Sequence, residues 1–157
     1  MVTIEQISDY VIFRCKSEGN TDLSVLKHQK LLYYIQAWYL AFYHVPLFNG
    51  SFEAWIHGPV NRTIYDRYKD SKYIYSEMDL ADITDLTIVN RLDHHVKLHV
   101  DAVLDAYAGF SATQLEVMTH QEQPWVEARK GYAPYERCET VIDNYTMQDY
   151  YSARLSS

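Results

Sequence analysis

The sequence predicts a mainly α fold, a single-domain bundle of six or seven helices around a central aromatic helix at about 24–43, with room for one small β-hairpin. Three observations predict it. Between Leu31 and Tyr43 one polar side chain, Gln36, interrupts thirteen residues, six of them aromatic. A helix apolar on all sides belongs in the middle of a bundle. Helix-start signatures recur along the chain, as Thr3-Ile4-Glu5-Gln6 and Ser111-Ala112-Thr113-Gln114: a hydroxyl at the cap with Gln three residues on satisfies two free backbone N–H groups. The 157 residues are 48% hydrophobic and 22% charged, a globular composition. A chain of that size hides about 70% of its unfolded surface, enough for a core without staples.

The elements follow in order. Helix one starts at the Thr3 cap, with Ile4, Ile7, Val11, Ile12 and Cys15 at helical spacing, and ends at Gly19-Asn20. Helix two runs from near Ser24 to Tyr43 and is broken by Pro46 and Asn49-Gly50. Ser51 to Ile56 reads as a short strand or extended segment. Gly58-Pro59 is expected to start helix three, with Pro where its missing N–H is harmless. Residues 70–87 form an acidic connection, with room for a short strand at Tyr73 and Tyr75. A long helix is expected from about Thr84 to Gly109, carrying Val89, Leu92, Val96, Val100, Val103 and Tyr107. Ser111 caps the next, Pro124 starts a short one that Gly131 ends, and Thr146 is expected to cap the last.

Composition narrows the function classes. A formal net charge of −7 disfavours nucleic acid; the basic run Arg62, Arg67, Lys69 and Lys72 is diluted by Asp66 and Asp70. A membrane span needs about 20 apolar residues, and Lys27 to Lys30 and His44 to Pro46 bound the aromatic run too tightly. Cys15 and Cys138 stand outside any CxxC motif, and Met1 to Tyr10 lacks a basic leader. Reduced thiols in the cytoplasm are expected.

Three constellations could carry chemistry. His95 and His99 stand at i and i+4, a spacing that lets two imidazoles share a metal, but no third ligand accompanies them. Glu53–Val60 and Thr119–Arg129 each combine a Trp, a His, a Glu and a Pro. Read functionally, His57, His120 and Glu122 form an acid–base cluster of a hydrolase-like enzyme. Read structurally, the histidines satisfy helix ends while Trp55 and Trp125 fill the core. In the aromatic helix most rings belong to the core, and one edge, such as Tyr34 or Trp38, is available to a partner. No metal or other cofactor is expected.

LKHQKLLYYIQAWYLAFYHVPLF, FEAWIHGPV, THQEQPWVEARKG and MQDYY, in this order from Leu23 to Tyr151, resemble the Panacea domain, the SocA-like antitoxin family that also includes phage-associated GepA-like proteins. The resemblance implies one mostly helical domain, residues 1–157, that neutralises a cognate toxin protein encoded nearby by direct contact. It offers no catalytic site to carry over. Some members carry an added N-terminal DNA-binding region; about 22 residues precede the match here, too few for one with a linker. The matching positions include Gln29, Lys30, Leu31, Glu53 and Pro124. Tyr34, Trp38, Trp55, His57, Gly58, Pro59, His120, Glu122, Trp125 and Arg129 are the expected partner-binding or motif residues. The toxin, the oligomeric state and a role as protease adaptor are left open.

Overall fold

The computed structural model describes residues 1–155. Helix α1 (Ile4–Ser17) begins on the expected capping box: Gln6 N–H donates to Thr3 Oγ1 at 3.2 Å, and Thr3 N–H to Gln6 Oε1 at 3.0 Å. Helix α2 (Val25–Tyr43) is capped by Ser24 and stops at His44, whose φ of 62° turns the chain out of the helix. Every residue from Val25 to Ala37 is buried. Helices α1, α5 (His94–Tyr107), α6 (Ala112–Gln121) and α8 (Asn144–Leu155) surround α2, as predicted for a central aromatic helix. The free N–H groups of its first turn are met by loop carbonyls. Val25 donates to Ser76 O at 2.9 Å and Leu26 to Ile74 O at 2.8 Å. That strap replaces the short strand expected at Tyr73 and Tyr75, whose side chains are exposed.

The small sheet has three strands. β1 (Phe52–Trp55) lies between β2 (Gly58–Val60) and β3 (Val141–Ile142), antiparallel to both, with Trp55 opposite Gly58 and Phe52 opposite Ile142. The Gly58-Pro59 pair therefore does not start a helix. Gly58 takes φ +113° just after the hairpin turn, a conformation glycine accepts at no steric cost. Helix α3 (Arg62–Tyr68) begins later, capped by Asn61, whose Oδ1 accepts from Ile64 N–H at 3.0 Å. Gln29 fixes that cap, accepting from Asn61 N–H at 2.9 Å and donating to Asn61 O at 3.1 Å.

Two further expectations are corrected. The long helix is broken: α4 (Ile88–Arg91) ends at Leu92, which turns extended, and α5 starts after Asp93. The break lets α4 pack on α1 while α5 packs on α2. The described residues hold eight α-helices where six or seven were expected, with α7 (Gln123–Ala128) the shortest of the C-terminal three. Thr146 lies inside α8; Asp143, whose Oδ1 accepts from Tyr145 N–H, precedes its first turn. Four acids of the 70–87 connection are engaged within the fold. Glu77 pairs with Lys16, Asp82 with Lys72 and Asp85 with Arg91, while Asp79 caps a 3-10 turn.

No helix among the described residues is long and apolar enough to cross a membrane. Cys15 and Cys138 are both free and buried.

Candidate functional site

Most of the motif residues meet where α6 and α7 grip the β1–β2 hairpin. Arg129 spreads its guanidinium over three carbonyls, donating to Ala54 O (2.9 Å), Ala133 O (3.0 Å) and Glu136 O (2.6 Å). Trp125 Nε1 donates to Trp55 O at 2.9 Å. The Trp125 ring is stacked on His120, with centroids 3.9 Å apart, and Arg129 lies over it. Pro124 opens α7 within its first turn. A two-strand hairpin is marginal by itself; here backbone-directed donors from α7 hold it to the bundle.

Beneath the turn lies Lys30, fully buried, its Nζ 3.5 Å from Pro59 O. Gly58 makes room for it: a Cβ there would stand 2.4 Å from Lys30 Cε. Burial pushes the Lys30 ammonium down to about 7, with Glu116 opposing. His57, exposed at the turn, donates from Nδ1 to Glu116 Oε1 at 3.1 Å.

Glu122 faces the other way, into a tyrosine cluster. Its Oε1 accepts from Tyr34 and Tyr151 hydroxyls, each at 2.7 Å. Tyr34 stacks on Tyr107 with centroids 4.1 Å apart, and Trp38 Nε1 donates to the Tyr107 hydroxyl at 2.8 Å. Burial raises the Glu122 carboxyl, and the two tyrosine hydroxyls oppose that rise.

The suggested acid–base trio is thus divided by its partners. His57 pairs with Glu116, His120 stacks on Trp125 with its pKa lowered by burial, and Glu122 binds tyrosines. His95 and His99 of α5 also meet protein groups. His99 Nε2–H donates to Ile35 O at 2.9 Å, and His95 Nε2 meets the Tyr39 hydroxyl at 3.2 Å. Among the described residues no three His, Cys, Asp or Glu side chains are placed to hold one metal ion.

Two apolar grooves reach the surface. One, of about 350 Å³, runs beside the hairpin past Trp55, Tyr65, Arg62 and Ile74, with Cys138 in its lining. Arg62 sits 4.9 Å over the Trp55 ring and is held by Glu53 (3.0 Å) and Glu139 (2.8 Å). The other, of about 440 Å³, lies between the second half of α2, α5 and α6, among Trp38, Phe42, Ala102, Ala106, Phe110 and Met118. Sequence reasoning placed Trp55 and Trp38 but missed Tyr65, Arg62 and the alanines. The signal for the alanines is their i, i+4 spacing on α5.

The family model described as Antitoxin SocA-like, Panacea domain, matches residues 29–126. That range holds Gln29 and Lys30, the hairpin, and His120 to Trp125; Arg129 and the C-terminal MQDYY lie beyond it. A curated relative, Antitoxin SocA of Caulobacter vibrioides (strain NA1000 / CB15N), is 32% identical over 109 residues, which cover 66% of this chain and 58% of the relative. The chain therefore matches less than two thirds of that relative's length. No solved structure matches the chain.

Proposed function

The chain belongs to the antitoxin SocA-like, Panacea domain family, and from that premise we propose that it neutralises a toxin by direct contact, converting no molecule itself. The family match carries the reading. Its physical support is the division of the motif residues. Lys30, Glu122, Trp125 and Arg129 are bonded within the fold, and the aromatic edges of Trp38 and Trp55 are left at two grooves. Aromatic and arginine side chains at a pocket are the residue types that dominate protein interfaces.

The partner is a basic protein encoded nearby. Of the 14 lysines and arginines, Lys27, Lys30 and Arg129 are buried, so the surface is more acidic than the formal charge of −7 implies. Acidic surfaces speed encounter with basic partners. The setting is the cytoplasm, where the unpaired Cys15 and Cys138 remain reduced.

The test is growth. Expression of the adjacent gene's product alone should arrest the host, and co-expression of this chain should restore growth. A harmless neighbour, or arrest that persists in the presence of well-expressed chain, contradicts the reading.

A further inference from the structure

We propose that residues 56–60, the tip and outer strand of the hairpin, form a cover over Lys30 that lifts when the lysine takes up a proton and closes when the proton leaves. The device belongs to the free chain and requires no partner.

The space under the cover suits an amine and not an ammonium. An ammonium has three N–H donors. Lys30 is fully buried, and its Nζ has one acceptor among the described residues, Pro59 O at 3.5 Å. At the same junction His120 Nε2, on α6, is buried with no partner. A charge left there without acceptors is costly, so either the proton goes or the wall moves.

The wall that can move is the hairpin tip. Lys30 Cε lies against the Gly58 backbone on one side, with Thr119 of α6 beside it. The cover is pinned at both ends. Trp55 O accepts from Trp125 Nε1, and Asn61 exchanges two hydrogen bonds with Gln29. Between the pins, β2 is an outer strand, paired with β1 alone. Its ties to the helices are local: His57 to Glu116, Pro59 O to Lys30, and the Ile56 backbone facing His120. Ile56, His57 and Val60 also line the hairpin groove, so lifting the cover reshapes a surface open to a partner.

The charges around Lys30 set the direction. Glu116 of α6 favours its proton and is shared with His57 of the turn. His120 of α6 and Lys30 oppose each other's charge, and Arg129 beyond α7 adds to that on His120. On α2 itself, Lys27 is held by Asp22 and Ala108 O, and the Tyr34 hydroxyl by Glu122. Burial outweighs Glu116 and pushes Lys30 down to about 7 from an ordinary 10.5. With the cover lifted, the amine meets water and regains its ordinary affinity for protons. The lifted form therefore binds more protons, and it gains population as pH falls from about 10 toward about 7.

The full chain is followed by hydrogen exchange from about pH 7 to about 9. Each rate is divided by that of the same amide in the unfolded chain, which gives the opening equilibrium of each segment. Opening at Ile56, His57, Gly58 and Val60 should rise about tenfold for each unit that the pH falls, levelling near 7. Leu31–Ala37 of α2 should stay closed over the same range. In Lys30→Met the cover should open equally at every pH. Three outcomes overturn the proposal: a flat wild-type profile, an unchanged slope in Lys30→Met, or Leu31–Ala37 opening in step with the cover, which would make the event unfolding of the whole chain. The wild-type profile and its α2 comparison decide the matter even where Lys30→Met does not fold. None of these readouts involves the toxin, so an absent toxin and a rigid cover are told apart.

Discussion

The backbone of Gly58 lies directly on the side chain of Lys30: a glycine Cβ would stand 2.4 Å from Lys30 Cε and 3.0 Å from Thr119 Oγ1. This one approach lets a lysine with no exposed surface sit beneath a hairpin turn. It also explains why Gln-Lys, His-Gly-Pro and the α6–α7 segment, remote in sequence, act as one unit.

Replacing Gly58 by alanine combines a left-handed φ of +113° with that collision. The expected loss is about 2–4 kcal/mol, read as a lower midpoint of urea denaturation. An unchanged midpoint would mean that the turn relaxes freely and does not grip Lys30.

The buried lysine makes stability depend on alkaline pH. Its folded pKa lies near 7 against an ordinary 10.5. Between those values the unfolded chain binds the proton more often, so stability rises with pH. The contribution is complete above the unfolded value and is lost as pH falls toward about 7. Lys30→Met, of similar length and uncharged, should flatten the slope between about pH 7 and 10 and raise stability at neutral pH. Urea midpoints of both proteins across that window check it.

His28 acts at the acid end. Burial pushes its imidazole down to about 4 from an ordinary 6.5, with the Ser8 carbonyl opposing. The stability it contributes is complete above about pH 6.5 and disappears as pH falls to about 4. His28→Gln, which keeps a donor for Ser8, should flatten the denaturation-midpoint profile over that range.

Glu122 serves the core by accepting from Tyr34 and Tyr151. Glu122→Ala strands the Tyr34 hydroxyl and leaves that of Tyr151 with Tyr33 alone, at a cost of about 2–3 kcal/mol, while Glu122→Gln keeps an acceptor and should cost about 1 kcal/mol. Equal losses in thermal denaturation would show that the carboxylate's charge, rather than its hydrogen bonds, matters.

How far the sequence spoke depended on how local each cause is. The Thr3 and Ser111 capping boxes and the all-apolar run of α2 were legible, because caps and periodicity are written within a few residues. The Gly58-Pro59 pair was misread because the same dipeptide suits a helix start and a hairpin strand, and Gln29, 32 residues from Asn61, decides between them. Strand β3 has two residues and takes its identity from β1. In the candidate site, Trp55, His57 and Trp125 were named from their motifs. Their partners were not, since Glu116 is 59 residues from His57 and Trp55 is 70 from Trp125. Lys27 and Lys30 bound the aromatic run in sequence, and only the strap and hairpin covering that end show why they are inside.

The central claim is contact, and it is tested most directly by mixing the purified chain with the purified product of the adjacent gene in a sedimentation experiment. The account predicts one complex of fixed stoichiometry that forms with the wild-type chain, and no toxicity while it lasts. Growth rescue in cells with two species that sediment apart at every concentration would contradict it.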